Sequence, residues 1–264
     1  MREMTALEHW ADALPRWGIP DHILRAAPES PWIHPVASFT PGDDVHVDTP
    51  SRSRALEALP AGGSVLDVGC GGGRAAFGLV PPATTVVGVD HQQEMLDVFG
   101  AQAASRGVGA RTILGDWPAV ADATPACDVV VCHHVFYNVA DLGPFVRALT
   151  SHARRRVVVE LPQHHPLSSL TPFWRQFWDL ERPEAPTHHD ALAAVRETGV
   201  DAHMEEFTQP LPSGAITDNH VAHTRVRLCL TPDRDPEVRA AMEMHRVTER
   251  SVATIWWDSG SRVG

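Results

Sequence analysis

Residues 65–77 read VLDVGCGGGRAAF: an apolar run broken by one acid, Asp67, then four glycines in the five positions 69–73. A short apolar run of this kind is a strand buried on both faces. The chain then turns almost without side chains before a helix-length segment at 73–80. Glycine lets backbone approach a ligand closely and take positive φ, and a helix that starts there adds free N–H groups and the positive end of its dipole. Strand, ligand-contacting turn and helix are the expectation.

The surrounding chain repeats that grammar. A helix is expected at 51–59 and a turn at 60–63, ahead of the strand at 65–68. β-Branched runs follow at 85–89, 111–114, 128–132 and 156–161, separated by helix-length segments at 92–106 and 142–152. Strands alternating with helices specify a mainly parallel sheet covered on both faces, a doubly wound α/β fold. A further strand at 202–208 and a closing strand at VATIWW bring the Rossmann-like sheet to seven. The segment 219–230 alternates like a strand at Val226, Leu228 and Leu230 and also fits a helix; the helix is preferred, with a second at 235–245.

Two segments stand outside this pattern. Residues 3–17 place Leu7, Trp10, Leu14 and Trp17 at helical intervals, and 18–50 are rich in proline with scattered aromatics such as Trp32 and Phe39. Residues 1–50 are therefore expected to form an N-terminal cap or lid on a domain spanning 51–264. Within that domain, an insertion at about 162–198 puts Leu170, Phe173, Trp174, Phe177, Trp178 and Leu180 on one helical face, followed by a helix at 188–198. Core packing and a pocket wall both fit that face.

Composition narrows the function. With 264 residues, 43% hydrophobic and 21% charged, the chain is expected to fold throughout. A net charge of -11 without basic runs argues against nucleic acid and anionic membranes as partners. All 22 basic residues are arginine, which reads as the codon bias of a GC-rich bacterial genome. No signal peptide or spanning segment is expected, so a cytoplasmic location is. The four cysteines form no CxxC pair and read as buried thiols.

In a doubly wound sheet the first strand-to-helix turn lies beside the ligand. A dinucleotide fingerprint counted from Gly69 would need glycine at position 74, which is Arg74. The pattern is instead Asp67, Gly69, Gly71, Gly73 in acid-x-Gly-x-Gly-x-Gly spacing, and here the chain resembles the class I S-adenosylmethionine-dependent methyltransferases. TTVVGVD ends in Asp90, about 20 residues on, at the separation where a carboxylate reaches a ribose diol. TILGDWP and CDVVVCHHVFYNVADLGPFVRAL resemble the family's third and fourth motifs, so the resemblance covers roughly residues 51–165. It implies S-adenosyl-L-methionine as cofactor and S-adenosyl-L-homocysteine as product. It implies contacts from Asp67, Gly69, Cys70, Gly71 and Gly73, from Asp90 to the ribose, from His91, Asp116 and Trp117 around the adenine, and from His133 near the methionine portion.

The acceptor side is read from the rim after the fourth and fifth strands. Transfer to a hydroxyl needs a nearby base, and His134 and His164 are the candidates, with Tyr137, Glu160 and His165 also on that rim. Asn138 stands where many members of the family have histidine. No HExxH or Cys/His spacing occurs, and adjacent histidines on a loop do not usually both turn to one ion, so no metal site is expected. The reading is methyl transfer to an O, N or C atom of a small-molecule acceptor by in-line displacement. A cofactor-binding protein without turnover and an NAD-dependent oxidoreductase are the alternatives, and a homodimer stays open.

Overall fold

The computed structural model describes residues 2–32, 46–211 and 214–260. The part of the expected lid at 33–45 lies outside the described residues. The strands are β1 Ser64–Val68, β2 Thr85–Asp90, β3 Gly109–Leu114, β4 Cys127–His133, β5 Ala153–Pro162, β6 His203–Pro210 and β7 Glu249–Asp258. The helices are α1 Ala6–Ala13, α2 Asp21–Ala26, α3 Pro50–Ala58, α4 Arg74–Phe77, α5 Gln93–Ser105, α6 Leu142–His152, α7 Thr171–Trp178, α8 His188–Glu197, α9 Asp218–Arg227 and α10 Asp235–Met244.

The sheet runs β3-β2-β1-β4-β5-β7-β6, with β7 antiparallel to both its neighbours and the other pairs parallel. Alternation along the strands divides the core between two faces, as a period of two requires. Val130, Cys132, Val157 and Val159 pack with Trp10 of α1, Phe145 and Leu149 of α6 and Val195 of α8. Val129, Val131 and Val158 pack on the other side with Ala55 of α3, Phe77 of α4 and Phe99 of α5. Strands buried on both faces read as unbroken valine runs, and that is why they were visible in the sequence.

A third core forms away from the sheet. Ile19, Ile23 of α2, Phe173 and Trp174 of α7, Val221 of α9, Leu228 to Leu230 and Val238 and Ala241 of α10 bury one another. The aromatic face of α7 is thus core packing: Trp174 is buried, and the Trp178 indole donates to the Leu228 carbonyl at 2.7 Å. The segment of mixed periodicity is helical, as α9, and Cys229 follows it at φ 58°. Two boundaries differ from expectation. The helix after the glycines is only four residues long, and the aromatic helical face expected over Leu170 to Leu180 is entered through a 3-10 helix at Pro166–Leu170 and stops at Asp179 in the left-handed region.

Attachment of this third layer follows from the topology. Because β6 and β5 both run antiparallel to β7, they run the same way, and Pro162 and Pro210 end them at the same rim. The chain leaves that rim for α7 after β5, leaves it again for α9 and α10 after β6, and returns to it at Glu249. Trp17 and Arg182 join the layer to α1: the Trp17 indole donates to the Ala185 carbonyl at 2.8 Å, and the Arg182 guanidinium lies over the Trp17 and Trp174 rings while donating to the Gly18 carbonyl at 3.0 Å.

Candidate functional site

The strand order reverses between β1 and β4, where a doubly wound sheet opens a crevice beyond its strand ends. The turn Gly69–Gly73 leaves β1 at that point. Gly69, Gly71 and Gly73 take φ of 70°, 49° and 88°. A Cβ on Gly69 would stand 2.4 Å from Cγ2 of Val135 in the turn after β4, and one on Gly73 would stand 2.3 Å from the Phe77 ring. Both glycines are therefore required by conformation and by space. The turn is fastened from beneath, with the amides of Gly69 and Cys70 donating to the Val89 carbonyl at 2.8 and 3.0 Å.

Two carboxylates brace the loop. Asp90 accepts from the Gly71 amide on one oxygen at 2.9 Å and from the Gln92 amide on the other at 3.0 Å. Each oxygen keeps a further lone pair for a hydroxyl. Asp67 is buried and accepts from the Ala76 amide in α4 at 3.1 Å. Burial pushes the Asp67 carboxyl up to about 8; the Ala76 amide opposes this and Asp90 adds to it. Burial likewise drives the Cys70 thiol upward, and its side chain belongs to the core below the loop, so only backbone of Cys70 is left to meet a ligand.

His91 is exposed, with Nδ1 at 3.6 Å from Asp90. Asp116 is exposed on the turn after β3. Trp117 is partly buried against the α6 side of the sheet: its indole donates to the Phe145 carbonyl at 3.4 Å and its ring meets His152 edge-on at 4.9 Å. The ring serves as an anchor for the turn.

The end of β4 carries a histidine pair around Glu160 of β5. His133 and Glu160 are paired in register. Burial lowers the His133 imidazole, and its Nε2 is buried with no hydrogen-bond partner. His134 sits at φ 62°, its amide donating to the Glu160 carbonyl at 2.7 Å and its Nε2 lying 3.1 Å from the Glu160 carboxylate. Burial alone would raise Glu160, but the His133 and His134 imidazoles and the Ser51 hydroxyl outweigh it and hold the carboxyl at about 2. Ser51 at the start of α3 is itself buried, 2.6 Å from the Thr254 hydroxyl of β7. Ser51 and Thr254 lie 203 residues apart, and no spacing in the sequence announces them.

The remaining rim residues separate. Tyr137, expected to face the acceptor, is buried, and its hydroxyl donates to the Pro162 carbonyl at 3.2 Å. His165 stacks on Trp17 at 4.4 Å, and burial, with Arg182 beside it, lowers its imidazole to about 4. His164 is exposed, and its backbone bridges to Thr187. Of the two candidate bases, His134 alone is held by a buried carboxylate. Contrary to the expectation for adjacent histidines, His188 and His189 both turn to one carboxylate, that of Glu206; they open α8, with the His188 side chain buried and that of His189 exposed.

Residues 65–156 match the family model for a methyltransferase domain. That match covers about a third of the chain, and the sheet and its helices have the Rossmann-like fold of the class I S-adenosylmethionine-dependent methyltransferases. Among curated relatives, the ubiquinone biosynthesis O-methyltransferase of Bartonella bacilliformis is 28% identical over 142 residues, 48% of this chain and 55% of that protein. The protein of the same name from Methylobacterium nodulans is 37% identical over 98 residues, 37% of this chain and 38% of that one. The chain spans about half the length of the curated relatives it matches. Among solved structures, the YcgJ protein of Bacillus subtilis shares the fold at a TM-score of 0.55 and 17% identity, covering 81% of this chain and 99% of that one. Among the described residues no helix is long and apolar enough to cross a membrane.

Proposed function

We propose that this chain transfers a methyl group from S-adenosylmethionine to a hydroxyl oxygen of a small-molecule acceptor, releasing S-adenosylhomocysteine. The observation that carries the reading is the meeting, at one strand-order reversal, of a glycine turn braced by Asp90 with a carboxylate-held imidazole at His134. The names of the curated relatives support oxygen as the atom methylated.

The residues present fit the cofactor. Positive-φ glycines whose Cβ atoms would collide with Val135 and Phe77 leave backbone as the contact surface. Asp90 has lone pairs left for a ribose diol, and Gly115, whose amide is tied to the Asp90 carbonyl at 3.0 Å, leads to Asp116 and the adenine side. The unpartnered His133 Nε2 is a polar atom that a ligand can satisfy. The bound cofactor supplies an electrophilic sulfonium methyl; the chain aligns the acceptor and keeps water out.

His134 handles the acceptor proton. Its Nε2–H points to the Glu160 carboxylate, which leaves Nδ1 as the basic atom and fixes the ring. As the oxygen–methyl bond forms, the hydroxyl proton moves to Nδ1, and Glu160 stabilises the imidazolium. The layer of α2, α7, α9 and α10, attached at the same rim, is read as the acceptor's cover.

The test is release of S-adenosylhomocysteine from the native chain and from His134→Ala, across a panel of phenols, catechols and amines. Turnover on hydroxyl acceptors is expected, reduced about 10²- to 10⁴-fold in the variant while calorimetric binding of S-adenosylmethionine is retained. Native-level turnover in the variant removes His134 as base. Turnover confined to amines removes the oxygen assignment, and binding without turnover on any acceptor favours a protein that holds the cofactor only.

A further inference from the structure

A second cluster of ligating side chains lies apart from the glycine turn. His188 and His189 open α8, and Glu206 projects from edge strand β6. Nε2 of His188 is 2.6 Å and Nε2 of His189 3.5 Å from Glu206 Oε1, and one ligand atom from each residue lies within 4.8 Å of the others. The His188 side chain is buried, whereas His189 and Glu206 are exposed.

Hydrogen-bond accounting shows what this cluster lacks. Nδ1 of His188 is 2.8 Å from the Gln163 carbonyl, which only accepts, so that nitrogen must carry the ring proton. Nε2 of a neutral ring then presents a lone pair to a carboxylate oxygen. Two acceptors at 2.6 Å need a cation between them, either a second ring proton or a metal ion. The rings of His188 and His189 lie 3.9 Å apart, where two imidazolium ions would repel. One divalent ion lets both rings stay neutral and satisfies all three side chains. A backbone carbonyl that takes the remote N–H of a histidine is also the usual support for an imidazole that binds a metal.

We propose that His188, His189 and Glu206 bind one zinc-type transition-metal ion, joining the start of α8 to β6. Two imidazole nitrogens and one carboxylate oxygen suit zinc and its first-row neighbours, while magnesium and calcium take oxygen donors. Three protein ligands leave a fourth position to water on the exposed side. A tetrahedral ion would open the His188–Glu206 pair to roughly 3.3 Å, and the exposed Glu206 side chain has room to swing. The ion braces more than α8. The Gln163 carbonyl that supports His188 also lies 3.4 Å from the Tyr137 hydroxyl, so the clamp stiffens the rim beyond β5. This proposal stands independently of methyl transfer.

The experiment is a competition titration of zinc between a chromophoric chelator and the metal-free chain, freed of any affinity tag, with far-UV circular dichroism as the check on folding. The variants are His189→Ala, Glu206→Gln and both together, with His203→Ala on the same strand as control. One equivalent of zinc is expected to bind native chain and control alike, raising the melting temperature. Affinity should fall at least about tenfold in each single variant and be lost in the double one, and millimolar magnesium should not compete. Absence of stoichiometric zinc binding by the native chain, or native affinity in the folded double variant, overturns the site.

Discussion

Asp90 ties two turns together, holding the glycine loop by one oxygen and the entry to α5 by the other. Asp90→Ala is expected to weaken S-adenosylmethionine binding by at least about tenfold, the worth of one hydrogen bond to a charged group. Gly69→Ala should destabilise the fold by about 1–3 kcal/mol in chemical denaturation, because its Cβ meets Val135 and its φ is positive. Asp67 gives a pH signature of defined sign. Its folded carboxyl is raised from 3.8 to about 8, so the native state holds the proton that the unfolded chain has lost, and stability should fall as pH rises through that window. Asp67→Asn should flatten the fall; an unchanged slope in the variant would show that another group causes it. At this scale the glycines, Asp67 and Asp90 were legible because their spacing is local. Ser51 and Thr254 were not, since a buried contact across the sheet leaves no periodicity. Tyr137 and His165 misled because a polar aromatic on a loop reads the same whether it meets a ligand or, as here, a carbonyl or an indole.

Among the elements, the docking of α1 and its following 3-10 turn onto the connection beyond β5 rests on Trp17, His165 and Arg182. His165 is lowered by burial and by Arg182 from 6.5 to about 4. A histidine kept neutral in the fold contributes stability that is complete above about 6.5 and lost as pH falls toward 4. Acidification through that window should loosen this docking first, seen as a change in tryptophan emission that precedes loss of far-UV dichroism. His165→Phe, which keeps the stacking and has no proton to gain, should abolish the early change; its persistence would assign the effect elsewhere. Valine runs and apolar spacing made most elements readable, as with Leu7 and Trp10 along α1, whereas the Thr5–Glu8 capping box at its start was not read. The length of α4 was less readable, because four residues are too few for a helical period to declare itself. The α7 aromatics fitted core and pocket alike until α2, α9 and α10 were seen to bury them.

For the molecule as a whole, the sheet's order places the glycine turn and the His134–Glu160 pair at one opening, and three separate stretches of chain meet beside it to form a second layer. Sequence pattern carried the doubly wound architecture but not this layer, whose parts come from separate stretches around residues 19–23, 173–174 and 221–241. If the layer covers the acceptor, Trp174→Ala should raise KM for the acceptor more than it changes the affinity for S-adenosylmethionine, measured by steady-state kinetics beside calorimetry. An equal effect on both would mean that the substitution disturbs the fold generally. The central claim is that the glycine turn and Asp90 form a binding site for S-adenosylmethionine, and calorimetric titration of that ligand into the native chain and Asp90→Ala tests it most directly. Single-site binding by the native chain, severely weakened in the folded variant, is the expected result. No binding by the native chain, or undiminished binding by Asp90→Ala, would contradict it.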